Sequence, residues 1–160
     1  MQSVQIIYNI LRQRPADLLF KETLRKGVGI LARLPLSSGL LSGKMTAQTS
    51  FAADDHRLFN RNGEAFDKGE TFSGLDYARG LEAVEALRPV VPAGISMAQF
   101  ALRWITMNPA VTCAIPGGKR SAQVADNVSA ADLPALTDAQ MAAVQTVYEQ
   151  HAKPWVHHCW

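Results

Sequence analysis

The sequence is poor in the features that mark several protein classes. It has two cysteines, Cys113 and Cys159, too few for a disulfide framework and not at metal-ligand spacing. A reducing cytoplasm is therefore the simplest compartment to expect. No apolar run approaches the roughly 18 residues that a membrane span requires. The opening MQSVQIIYNIL has neither a basic lead nor a small-residue cleavage site, so no signal peptide is expected. Charge of one sign is scarce too: the formal net charge is +2, and the basic residues form no stripe or run. No nucleic-acid or membrane-surface partner follows from that balance.

What is present is a globular composition, 48% hydrophobic and 19% charged over 160 residues, which can build one sizeable core. Residues 4–8 form a short apolar run rich in β-branched side chains and are expected to be a strand. A chain that enters its core this early is expected to have sequence upstream of it. Pro15 opens a helical pattern in which Ala16, Leu19, Phe20, Thr23 and Leu24 share a face, and Gly27 closes it. Residues 28–36 are nearly continuous apolar sequence, as suits a parallel strand covered on both faces. Residues 37–70 are polar and weakly periodic, a loop long enough to suggest function or disorder.

Helices are expected over residues 75–90 and again after Ser96, where Ser96 and Gln99 have capping-box spacing. Residues 110–117 make a third buried strand. Ser121 is expected to cap a short helix reaching Asn127. Thr137 and Gln140 form another capping box ahead of a last helix. Strands alternating with helices argue for an α/β fold with a parallel sheet. Three strands fit either a small open sheet or an arc of a barrel, and periodicity does not choose between them. No linker divides residues 1–160.

Most short chemical motifs fail on inspection. The run Gly39 to Lys44 resembles a phosphate loop, but Ser38 stands where the first glycine belongs and Met45 where a hydroxyl should be. His157, His158 and Cys159 sit too close together in sequence to face one ion, and no second ligand pair is evident, so no metal site is expected. Asp54 and Asp55 beside His56 and Arg57 fit acid–base work less well than a solvated polar loop. The segment Gly117-Gly118-Lys119-Arg120-Ser121 is stronger. It joins a strand to a helix, with two glycines for close approach and two cations, which is the make-up of an anion site. A plain turn with exposed cations is the competing reading. Arg33 also stands out, because a guanidinium in an apolar strand must reach solvent, an acid or a ligand.

Several segments together resemble one family. VQIIYN, RLPLSSGLLSGK, the F…DDHR stretch and SMAQFALRWITMNPAVTCAIPGGKRSAQVADN are similar, in order and separation, to the second half of NADP-dependent aldo-keto reductases. The resemblance runs from about residue 3 to Trp160. It implies a TIM (β/α)8 barrel, with the three strands here as its sixth, seventh and eighth and the chain as its C-terminal half. It also implies NADPH-dependent reduction of an aldehyde or ketone, with a small carbonyl compound as substrate.

By that resemblance Gln5 would hydrogen-bond the nicotinamide carboxamide, and Arg33 would stack on the nicotinamide ring. Leu36 and Ser38 match the loop along the pyrophosphate. Gly117, Gly118 and Lys119 match the segment that holds the adenosine 2′-phosphate, and Gln123 and Asn127 match contacts beside the adenine. The family's catalytic Tyr, Lys, Asp and His lie in the first half of its barrel, and no part of this chain matches them. The chain alone is therefore expected to carry no catalytic residue. It would act as the cofactor-binding part of the reductase. Two alternatives are a non-catalytic half-barrel that assembles with an N-terminal half or with itself, and an inert product of a truncated gene.

Overall fold

The computed structural model describes residues 1–159; Trp160, where the resemblance ends, lies outside them. Among the described residues three strands form one parallel sheet in the order β1 (Ser3–Ile7), β2 (Gly29–Arg33), β3 (Val111–Ala114). The α/β class expected from the sequence is what the chain adopts. β1 and β2 align with Ile7 opposite Arg33. β2 and β3 align with a register shift after Ile30. The Thr112 hydroxyl fills that irregularity by accepting the Ile30 N–H at 3.2 Å.

Alternation along the strands splits the sheet into two unlike faces. Ile30 and Ala32 are buried, and Val4 and Ile6 pack beside them, against the helical layer. That layer comprises α1 (Leu19–Lys26), α3 (Tyr77–Leu87), α4 (Met97–Thr106) and α6 (Asp138–Val147), with the four-residue α2 (His56–Phe59) in the long loop. Phe100, Ile105, Val84, Leu87 and Val144 fill the core. Each such side chain contributes about 1.5–3 kcal/mol by leaving water. The other face, carrying Gln5 and Cys113, is exposed.

Local signals set most boundaries. Gly27 takes φ +62° and closes α1, its N–H bonding to the Leu24 and Thr23 carbonyls. Both capping boxes form, Ser96 with Gln99 and Thr137 with Gln140. Several expectations need correction. The third strand, expected as buried over residues 110–117, covers only Val111–Ala114, and its Thr112 and Cys113 are exposed because nothing among the described residues covers them. β2 ends at Arg33, not at residue 36, because Leu34 turns left-handed at φ +50°. Ser121 is the first residue of α5 (Ser121–Ser129), not its cap; the preceding N–H groups are taken by Gln123 instead. Finally, α6 runs on into a π-helical turn (Tyr148–Ala152) and α7 (Lys153–Val156).

The long segment after β2 is neither disordered nor featureless. Asn60, Thr71, Phe72 and Ser73 within it are fully buried. The Asn60 side chain accepts from the Ala65 and Phe66 N–H groups at 2.8 and 2.7 Å and donates to the Thr71 hydroxyl. A buried asparagine so used replaces the regular hydrogen bonds that the loop lacks. No helix among the described residues is long and apolar enough to cross a membrane.

Candidate functional site

Parallel strands leave a sheet at the same edge, so the loops after β1, β2 and β3 gather there. Ile115 extends the ladder by one bond from its N–H to the Ala32 carbonyl, which keeps the last two loops adjacent. Two clusters of the sequence-predicted residues lie at this edge, and they are built very differently.

The first cluster follows β1 and β2. Gln5 pairs with Leu31, and Leu31 with Cys113, so these three share the open face. Two residues on, Arg33 comes to the same face at the strand's end. Its guanidinium does not snorkel alone: it donates to the Glu70 carboxylate in a half-exposed ion pair. Leu36 is half-buried, and its carbonyl accepts the Gly39 and Leu41 N–H groups at 2.9 and 3.1 Å. Ser38 is left-handed at φ +54°. Its hydroxyl donates to the Glu70 carbonyl at 3.2 Å and accepts the Phe72 N–H at 3.1 Å.

Around these residues lies a buried polar network that sequence reasoning missed. Asn9 donates to the Leu34 carbonyl at 2.8 Å and to the Ser73 hydroxyl at 2.9 Å, and its own carbonyl takes the Leu11 N–H. The Ser37 and Ser73 hydroxyls are 2.8 Å apart. Arg12 reaches the Ser73 carbonyl at 2.8 Å and the Cys159 carbonyl at 2.7 Å. Burial lowers the Arg12 pKa, opposed by nearby negative groups. Five non-glycine residues with positive φ fall in the two facing segments: Leu34, Ser37 and Ser38 on one side, Phe72 and Ser73 on the other. Each costs on the order of 1–3 kcal/mol and persists only where surrounding contacts over-determine it; such strain clusters at functional sites. The only signal in the sequence was buried-type polar residues without periodicity, which does not say what they bond.

Arg57 adds a cation at the rim. It pairs with Asp55 at 2.5 Å, lies 4.6 Å over the Phe51 ring and donates to the Ser38 carbonyl at 3.4 Å. The Arg57 hydrogen bond is the main reason the Asp55 carboxyl falls to about 2, and Asp55 also caps α2. Asp55 and Arg57 are thus engaged with each other and with the loop backbone.

The second cluster follows β3 and is exposed throughout its loop. Gly117, Gly118 and Lys119 are open to solvent, and a side-chain carbon added at Gly117 would meet nothing within 4 Å. The loop is shaped by the helix after it. Gln123 accepts the Lys119 and Arg120 N–H groups at 2.9 and 3.2 Å, and Asn127 donates to the Gly117 carbonyl at 3.3 Å. The two side chains are thus turned to the loop's backbone.

Each of the three tyrosine hydroxyls has a hydrogen-bond partner of its own. The Tyr8 phenol is buried between Phe20 and Trp104, bonds to Asn108 at 3.2 Å and is pushed up to about 12 by burial. Tyr77 donates to the Thr46 carbonyl, and Tyr148 meets His157. Among the described residues no three His, Cys, Asp or Glu side chains converge as a metal site would require.

Comparison with known proteins gives this arrangement a context. The family model for the aldo/keto reductase family matches residues 1–149. A probable voltage-gated potassium channel β subunit of Arabidopsis thaliana is 30% identical over 135 residues, which cover 79% of this chain and 37% of that protein. The L-glyceraldehyde 3-phosphate reductase of Escherichia coli K12 is 33% identical over 124 residues, 77% of this chain and 34% of the relative. Among solved structures, a glycerol dehydrogenase of Gluconobacter oxydans superposes with a TM-score of 0.74 at 25% identity, covering 93% of this chain and 42% of that one. The holo form of an aldo-keto reductase of Bacillus halodurans gives 0.64 at 22% identity, covering 95% and 46%. The chain therefore spans between a third and a half of the length of these relatives.

Proposed function

The chain belongs to the aldo/keto reductase family, and from that premise we propose that it supplies the NADPH-binding part of a reductase acting on aldehydes or ketones. In this reading β1, β2 and β3 are the sixth, seventh and eighth strands of a (β/α)8 barrel, and residues 1–160 are its C-terminal half. The observation that carries it is the shared edge of the parallel sheet. There Gln5 and Arg33 lie on one open face, with the Ser38 loop and the Gly117–Lys119 loop beside them.

The residues suit such a cofactor. The bare backbone at Gly117 admits a phosphate closely, and Lys119 stands exposed beside it. Gln123 and Asn127, which would lie beside the adenine, tie the loop to α5, so a 2′-phosphate would meet the Lys119 cation and the start of a helix. That pair of features favours NADPH over NADH. Gln5 would offer its carboxamide to the nicotinamide, and Arg33 its guanidinium plane. Leu36 and Ser38 would line the pyrophosphate. When bound, the cofactor supplies hydride to the substrate carbon; the chain's residues hold it and orient it.

Proton donation is assigned to a complementing N-terminal half, which would cover the exposed sheet face bearing Gln5 and Cys113. Two free, exposed cysteines are compatible with a cytoplasmic, reducing setting.

The test is a titration of the 160-residue chain with NADPH, followed by nicotinamide fluorescence. Saturable binding that is weaker with NADH supports the reading. Lys119→Ala is expected to weaken NADPH about tenfold, the worth of one charge-assisted contact, with an unchanged melting temperature. Absence of saturable binding removes the proposal.

A further inference from the structure

The Arg33–Glu70 ion pair joins two segments that the sequence keeps 37 residues apart. Glu70 is the fixed partner of the two. Its N–H bonds to the Asp67 carbonyl at 3.1 Å, its carbonyl accepts the Ser38 hydroxyl at 3.2 Å, and the following Thr71 is fully buried. Thr71 is itself held by Asn60 and by the Lys68 carbonyl. Arg33 is the movable partner, a long side chain leaving the last residue of β2 toward the open face. The Arg33 side chain is 36% exposed and that of Glu70 26%, so the pair stands at the rim, where a ligand on the open face would meet it.

We infer that Glu70 is a positioning residue: its carboxylate, anchored through the Ser38 loop, holds the Arg33 guanidinium in the orientation that receives the nicotinamide end of the dinucleotide. This rests on the NADPH-binding reading given above. The physical reason is preorganisation. An arginine side chain carries large rotamer entropy, and ordering it before the ligand arrives removes that penalty from binding. A guanidinium bonded at one nitrogen still presents its flat face for stacking. The same residue ties Arg33 to Ser38, because the carboxylate holds one and the backbone carbonyl the other. The ring end and the pyrophosphate end of the site are thereby set by a single residue of a loop that belongs to no strand.

The experiment is a double-mutant cycle on the 160-residue chain, with NADPH as the probe and nicotinamide fluorescence as the readout. Glu70→Ala is expected to weaken NADPH about tenfold, the order of effect that freeing one long side chain produces. Glu70→Gln keeps the side-chain volume and one acceptor oxygen and is expected to fall between Glu70→Ala and wild type. In an Arg33→Ala background, Glu70→Ala is expected to change affinity less than about twofold. A structural role for Glu70 would not vanish with Arg33, so that arm separates positioning from folding. If Glu70→Ala melts far below wild type, Glu70→Gln alone and within the Arg33→Ala background provides the cycle. Wild-type binding with equal affinity in the Glu70 variants, or an equal loss with and without Arg33, overturns the inference and leaves the cofactor site standing. No NADPH binding by the wild type overturns both.

Discussion

The loops after β1 and β2 and the loop after β3 share one edge of the sheet, yet they are held by opposite means. The first pair is locked from the interior. Asn9, Arg12, Ser37 and Ser73 are buried and bonded to one another or to backbone, and they hold five residues in left-handed conformations. The second stands outside the core. α5 buries none of its side chains, Val124 and Val128 are half or more exposed, and the loop's backbone is bonded by the exposed side chain of Gln123 and by that of Asn127. The difference teaches where stability and binding can be separated. A change in the first region acts on folding and on ligand geometry together, whereas a change in the second acts on the loop with little effect on the core.

The largest test of that contrast is Asn9→Ala. It removes three hydrogen bonds at a site with no solvent access, and should cost about 3 kcal/mol because the abandoned groups stay buried. Urea denaturation measures it, and a loss below about 1 kcal/mol would mean the network is not what holds the left-handed segments. Tyr8 gives a second probe of the same region through pH. Its folded-state pKa, about 12, lies above the ordinary value of 10. The unfolded chain therefore loses this proton first as pH rises. The stability involved is fully present below about pH 10 and is lost as pH climbs through about 12. Denaturation midpoints across that window should fall in the wild type and fall less in Tyr8→Phe. The smallest expected effect belongs to the exposed loop. Gln123→Ala should alter stability by less than about 1 kcal/mol, while weakening NADPH about threefold through a looser Lys119 loop. A large drop in melting temperature would erase the distinction between the two regions.

Much of the fold was legible from local pattern. The β-α-β order, the parallel sheet, Gly27 as a helix stop and both capping boxes all rest on short-range chemistry, and all of them form. Arg33 was visible as a charge that needed a partner, because an apolar strand offers none. Its partner was not visible: Glu70 lies in a stretch without periodicity, and nothing local distinguishes it from Glu64 or Glu82. Ser121 misled for a related reason. Ser at a helix start usually caps through its own oxygen, but here Gln123 reaches back and takes that role.

The sequence by itself determined the three strands, the longer helices, their order, and the placing of two glycines and a lysine in the loop after β3, because those depend on neighbours within a few residues. Only the tertiary structure decided that residues 70–73 fold back onto residues 33–38, that Asn9 bridges the two, and that Arg12 ties Ser73 to Cys159. Such bonds span between about 25 and 150 residues of chain. Their partners are chosen by which buried groups would otherwise go without a hydrogen bond, and that is known only once the core has packed.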